Sequence, residues 1–207
     1  MGRHREFDTD KALDAIVSVF WRKGFEGTSY ADLTGAAGVE RPALYSAFGN
    51  KEELFRKAMV RYYERYMDFV TEALQLPTAR EVAARILYGT ADVNTRYPDH
   101  TGCLHINGAI AGSDESEAVR QALIDVRAGG EAQIRERFER AKREGDLPEN
   151  ANPDALATFI MAVTHGMAVQ AKAGFSRDKL EAVAEQALST WPKGRSKRSR
   201  NPHRRPR

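Results

Sequence analysis

With 207 residues, 42% of them hydrophobic and 29% charged, the chain can bury one sizeable core or two modest ones, as an ordinary soluble protein does. Its formal net charge of +3 conceals an asymmetry, because residues 192–207 hold eight Lys or Arg and no acid, leaving the first 191 residues at −5. No apolar run reaches the length of a membrane span, the start with Glu6, Asp8 and Asp10 is unlike a secretory leader, and a single cysteine, Cys103, excludes an intramolecular disulfide or a paired-cysteine zinc site; a cytoplasmic protein without cofactor or metal is expected.

From Lys11 to Lys23, Leu13, Ile16, Val17, Phe20 and Trp21 recur at i, i+3, i+4, i+7 and i+8, the pattern of a one-faced helix that Gly24 ends. Thr28 or Ser29 can cap a second helix, whose first turn places Asp32 at the positive end of the helix dipole. Gly38 then falls where the chain must turn sharply, and Val39 follows as an apolar plug. Glu40, Arg41 and Pro42 open a third helix with proline in the first turn, where no N–H is needed, while Leu44 and Phe48 share its inner face. The other face is free to enter a major groove. There Arg41 is suited to a guanine edge, Ala43 to close approach to a thymine methyl, and the hydroxyls of Tyr45 and Ser46 to phosphates.

Beyond residue 50 the chain reads as helix throughout. Asn50 caps a long helix carrying Leu54, Phe55, Ala58, Met59, Tyr62, Tyr66, Phe69 and Val70, expected to end near Pro77. Thr78 to about Tyr97 follows, with Val82, Ile86 and Val93 inward, then a short segment around TGCLHINGAIAG. Ser116 to about Glu144 is the next helix, which the Gly129-Gly130 pair should bend or interrupt. The last two helices run from about Pro153 to Ala173 and from Arg177 to Leu188. Phe159, Val163 and Met167 on one, and Leu180, Val183, Ala184, Ala187 and Leu188 on the other, leave small residues such as Ala162, Gly166 and Ala168 for close helix approach; two such pairs would form a four-helix homodimer interface.

KGFEGTS followed by AAGVERPALYSAFGNKEELF closely resembles the N-terminal domain of the tetracycline-repressor (TetR) family of bacterial transcription regulators. The resemblance covers about the first quarter of the chain. It implies phosphate contacts for Thr28, Ser29, Tyr45 and Lys51 and a groove-facing role for Arg41, Pro42 and Ala43. Glu40 stands where the family usually has a small hydroxyl residue, Thr34 where alanine is usual, and Ala47 where histidine or tyrosine is common. The fold implied is all-α. Residues 1–50 form a three-helix helix-turn-helix domain, 51–191 a larger helical domain for ligand binding and dimerisation, and 192–207 a basic disordered tail.

The partners expected are a double-stranded palindromic operator, a second copy of the chain, and a small hydrophobic or aromatic effector, with no membrane. Residues whose polar tips or sulfurs suit the lining of an effector cavity are Tyr62, Tyr66, Tyr88, Cys103, His105, Asn107, Met161 and His165. TGCLHINGAI also resembles a GCL-x-x-N element of some family members, which implies that Cys103 and Asn107 lie near that cavity. Repression is the expected default, and the ligand is expected to release DNA by moving helix four, through Lys51 to Phe55, so that the recognition helices leave the spacing of about 34–36 Å that adjacent grooves demand. Residues 1–50 carry six basic and seven acidic groups, so Arg3, Arg5, Arg41 and Lys51 are the few cations placed to meet phosphates. Two alternatives stay open: a redox or electrophile sensor built on Cys103, and a non-specific DNA-associated protein relying on the tail. An enzyme using Cys103 with His100 or His105 fits poorly, since that spacing on a short segment sets up no nucleophile, base and orienting group.

Overall fold

The computed structural model describes residues 7–107 and 117–192. Expectations resting on Arg3, Arg5, residues 108–116 and the basic tail from 193 onward lie outside the described residues. The first helix, α1 (Thr9–Lys23), is capped by Asp8, whose carboxylate accepts from the Lys11 amide, and it buries Ile16, Val17, Phe20 and Trp21 as the periodicity predicts. Helix α2 (Tyr30–Ala37) starts at a reciprocal capping box. The Ser29 hydroxyl accepts from the Asp32 amide at 3.1 Å and the Asp32 carboxylate accepts from the Ser29 amide at 3.0 Å, so two otherwise orphaned donors are satisfied. Gly38 ends α2 in the left-handed conformation, φ 66° and ψ 29°, which a β-carbon would strain. Helix α3 (Arg41–Phe48) turns Leu44 and Phe48 inward and has no side-chain cap at Glu40.

Helix α4 (Lys51–Tyr66) packs along α1, with Leu54, Phe55, Ala58, Met59 and Tyr62 buried. The long helix expected to reach Pro77 instead breaks at Met67, and α5 (Asp68–Ala73) resumes in a new direction that buries Phe69 and Ala73. Packing overrides the continuous apolar pattern here: Gly89 of α6 (Ala79–Arg96) lies so close to the Phe69 ring that an added β-carbon would sit 2.3 Å from it. The buried Arg137 fastens the exit from α5 by donating to the Leu76 and Pro77 carbonyls at 2.6 and 2.8 Å.

After the short α7 (Leu104–Asn107), α8 (Glu117–Arg143) runs without interruption through Gly129 and Gly130. Buried Val119, Leu123, Ile134 and Phe138 anchor it on both sides of the pair, which offsets the roughly 1 kcal/mol that each helical glycine costs relative to alanine. Helices α9 (Pro153–Lys172) and α10 (Arg177–Ser189) pack on α6, and α9 also packs on α8.

Two cores result. One unites α5, α6, α8, α9 and α10 around Leu87, Phe138 and Ile160. The other runs from Ala12 of α1 through Leu33, Leu44, Phe55 and Tyr62 to Leu104 and Leu123. The core of the N-terminal helices therefore does not stop at residue 50; three short helices bury too little apolar surface to stand alone, and α4 supplies the remainder.

Candidate DNA-reading surface and effector cavity

The outer face of α3 presents Arg41, Pro42 and Ser46 exposed, with Ala43 and Tyr45 partly covered. Arg41 is not loose. Its guanidinium lies over the Tyr30 ring, 4.1 Å from the centroid, and donates to the Tyr45 hydroxyl at 3.0 Å, while the two tyrosine rings lean together 5.3 Å apart. This aromatic bed gives the guanidinium a defined resting place. Tyr30 was not singled out in the sequence, where it is merely the residue after a cap; only the crossing of α2 and α3 brings it beside Tyr45. Lys51 begins α4 with its ammonium 4.4 Å from the Phe25 ring, and partial burial lowers its pKa. Ser29 is exposed at the start of α2, its hydroxyl donating to Asp32 at 2.8 Å. Asp32 also accepts from Lys23 at 2.6 Å, and that bond first, with the Ser29 bonds, holds its carboxyl far below the usual carboxylate range.

Thr28 requires a correction. Its side chain is buried and its hydroxyl donates at 2.6 Å to the Gly24 carbonyl, closing the turn between α1 and α2 rather than facing outward to a phosphate. Ser29, the next residue, takes the cap that either could have supplied.

Between α4, α6, α7, α8 and α9 lies a cavity of about 100 Å³. Of the candidate lining residues, Cys103, His105, Met161 and His165 border it. The other four do not. Tyr62 and Tyr66 stack edge-on against Trp21 at 4.8 and 5.0 Å, Tyr88 lies on the outside of α6, and Asn107 donates to the Trp21 carbonyl at 3.1 Å and to Thr101 at 3.3 Å. Trp21 is the reason. A fully buried indole attracts rings, and its Nε1–H donates to the Gly102 carbonyl at 2.6 Å. The segment 101–107 thus binds the end of α1 on one side and borders the cavity through Cys103, His105 and Ile106 on the other.

Burial depresses the pKa of His105 to about 4, against a weaker opposing effect of the Met59 carbonyl, and lowers that of His165 in the same way. Both rings are neutral at pH 7. Burial likewise pushes the Cys103 thiol up, away from the reactive thiolate. Residues missed in the sequence are Asn94 and Arg127, both bordering the cavity. A signal for each existed: Asn94 continues the inward stripe from Ile86 and Thr90, and Arg127 lies between Leu123 and Ile134 on that of α8. No cluster of three or more His, Cys, Asp or Glu suited to a metal occurs among the described residues, and no helix among them is long and apolar enough to cross a membrane.

Comparison with known proteins bears on both halves of this arrangement. Residues 12–58 match the family of bacterial regulatory proteins, tetR family, and residues 84–187 match the tetracyclin repressor-like C-terminal domain. The chain is 33% identical over 193 residues to the HTH-type transcriptional repressor ComR of Escherichia coli K12, covering 92% of each. The chain belongs to the TetR family. Among solved structures, the TetR family regulator CifR, in a cysteine-substituted form complexed with 26-bp double-strand operator DNA, matches with a TM-score of 0.86 at 42% identity, covering 92% of this chain and 100% of that one. A TetR regulator from Rhodococcus sp. RHA1 matches at 0.61 and 38%, covering 88% and 98%.

For this TetR-family regulator the expected dimer residues divide in two. Met167, Leu180, Ala184, Ala187 and Leu188 are buried in the protomer's own core, so they are not surface available to a partner. Val163 is partly covered by the same core. Phe159 and Val183, each 40% exposed, remain on the outer face, joined by exposed Ala162, Gly166 and Val169 along α9. Apolar periodicity alone could not separate the two stripes, because an alanine-rich helix is apolar on both sides.

Proposed function

We propose that this TetR-family protein is a dimeric repressor that holds a two-fold operator and releases it when a small molecule fills the cavity between α4 and α9. The observation that carries this reading is α4 itself, a helix about 24 Å long with Lys51 at the reading end and Tyr63 at the cavity. A ligand favouring a different setting of α4 shifts both recognition helices at once. The segment 101–107 provides a second connection, because a change at Cys103 or His105 is passed to Trp21 through the Gly102 and Asn107 hydrogen bonds. The outer stripe of Phe159, Ala162, Gly166 and Val183 is the face assigned to the second protomer: a β-carbon at Gly166 would meet nothing within 4 Å, so the protomer alone gives no reason for its smallness. CifR with its operator DNA supports the DNA-bound state as the starting point. The raised Cys103 thiol weighs against a sensor acting through its thiolate. Such a protein works in the cytoplasm, where its operator is.

Fluorescence anisotropy with duplexes tiling the DNA upstream of its own gene, against a shuffled duplex at fixed salt, tests the reading. One duplex bound selectively by the full chain and by a 1–191 truncation is the expected result. Equal binding to every duplex, lost with the tail, would refute it.

A further inference from the structure

Asn94 is fully buried on α6, and neither its amide nitrogen nor its amide oxygen has a hydrogen-bond partner. An amide buried in this state is costly, so its presence on a cavity wall calls for a ligand that completes it. Arg127 of α8 also borders the cavity, and among the described residues no Asp or Glu does. Glu131, one turn along α8, accepts a hydrogen bond from Thr158 of α9, and no carboxylate among the described residues forms an ion pair with Arg127. The charge of Arg127 is felt within the cavity: after burial it contributes to lowering the pKa of both His105 and His165, opposed at His165 by Glu131. Apart from Arg127, the polar groups at the lining are neutral, and most of the remaining wall is apolar, including Met67, Val70, Ile86 and Ile134.

A half-buried cation with no counter-ion among the described residues, in a cavity that also holds an unpartnered amide, is the complement of a carboxylate attached to an apolar body. We propose that the effector is a small monocarboxylic acid with a single-ring or short-chain apolar body, its carboxylate paired with Arg127 and accepting from the Asn94 amide. The cavity of about 100 Å³ is smaller than one of the order of 150 Å³ that holds benzene, so a single ring or short chain is the upper limit and its entry must widen the walls. The proposal rests on the reading of this cavity as the effector site.

Calorimetric titration of the full chain with benzoate, hexanoate, benzamide, hexanol and benzylamine tests it. Both acids are expected to bind at least about tenfold more tightly than their neutral counterparts, and benzylamine not at all. Arg127→Gln is expected to weaken benzoate by about tenfold and Arg127→Lys to recover part of the loss; Asn94→Asp, nearly isosteric but anionic, should abolish benzoate binding. Neutral probes that bind as tightly as the acids, acids that give no heat, or wild-type benzoate affinity in a folded Arg127→Gln would each overturn it. Operator anisotropy with the same probes separates the two readings. A neutral probe that releases the operator where the acids do not refutes the acid class but not ligand release, whereas an acid that binds as expected without changing operator affinity refutes ligand release alone.

Discussion

The reading head and the cavity half of the molecule treat polar groups in opposite ways. In the head, Ser29 and Asp32 satisfy one another, Thr28 closes its turn on Gly24, and even the exposed Arg41 rests on Tyr30 and Tyr45. In the cavity, Asn94 is buried without a partner, Arg127 has no counter-ion among the described residues, and two histidines are held neutral by burial. A surface that must dock on a fixed lattice of phosphates benefits from groups already in place, while a pocket that must respond to a ligand benefits from groups left incomplete.

The largest expected effect breaks the dimer on which both halves depend. Phe159→Glu combined with Val183→Glu should give a monomer by analytical ultracentrifugation and weaken operator binding by about 100-fold or more, leaving the helical circular dichroism unchanged, since both residues lie outside the protomer core. Next, Arg41→Ala is expected to cost about 1–3 kcal/mol of operator binding per half-site while ligand titrations stay as they were, which separates head from cavity.

Mild acid probes the buried histidines. His105 is neutral when folded, with a pKa of about 4, but takes up a proton near 6.5 when unfolded, so the unfolded state binds more protons below pH 6.5. Stability is therefore complete above pH 6.5 and lost as the pH falls toward 4, by about 2 kcal/mol at pH 5. His165, facing Arg127 and Glu131, and His100, facing Asp99, Arg22 and Lys172, change stability in the same direction. Denaturant midpoints of the wild type and His105→Gln between pH 7.5 and 5 measure this, with a shallower acid loss in the variant.

Asn107→Ala, which removes the bonds to Trp21 and Thr101, should leave operator and ligand affinities near their wild-type values but reduce the coupling between them by about 1 kcal/mol. The smallest effect sharpens the correction at Thr28. Thr28→Val should lower stability by about 1 kcal/mol without altering the salt dependence of operator binding, because its hydroxyl faces Gly24 and not a phosphate.

The head was legible because its determinants are local. A cap, a left-handed glycine and an i, i+4 apolar pair are all read within a few residues, and Gly38, Leu44 and Phe48 are found where that reading puts them. The cavity was only half legible. Cys103, His105, Met161 and His165 border it as expected, but Tyr62 and Tyr66 are drawn away by Trp21, a contact between α1 and α4 that no local pattern specifies. Asn94 and Arg127 were visible as polar interruptions of inward stripes, yet their lack of partners becomes evident only when every neighbour is in place. The alanine-rich α9 and α10 hid which side faced inward, and Gly129-Gly130 allowed an interruption that the packed α8 does not have.

The aromatic bed under Arg41 sets how strict the operator has to be. An arginine facing the wrong base pair would ordinarily be stranded in the groove, stripped of water and without an acceptor. Here it can fold back onto Tyr30 and Tyr45, an exposed contact of about 0.5–1 kcal/mol, so a mismatch is penalised by the difference between two partners and not by the loss of one. We expect such a head to tolerate imperfect sites, with an affinity graded by how closely each one matches.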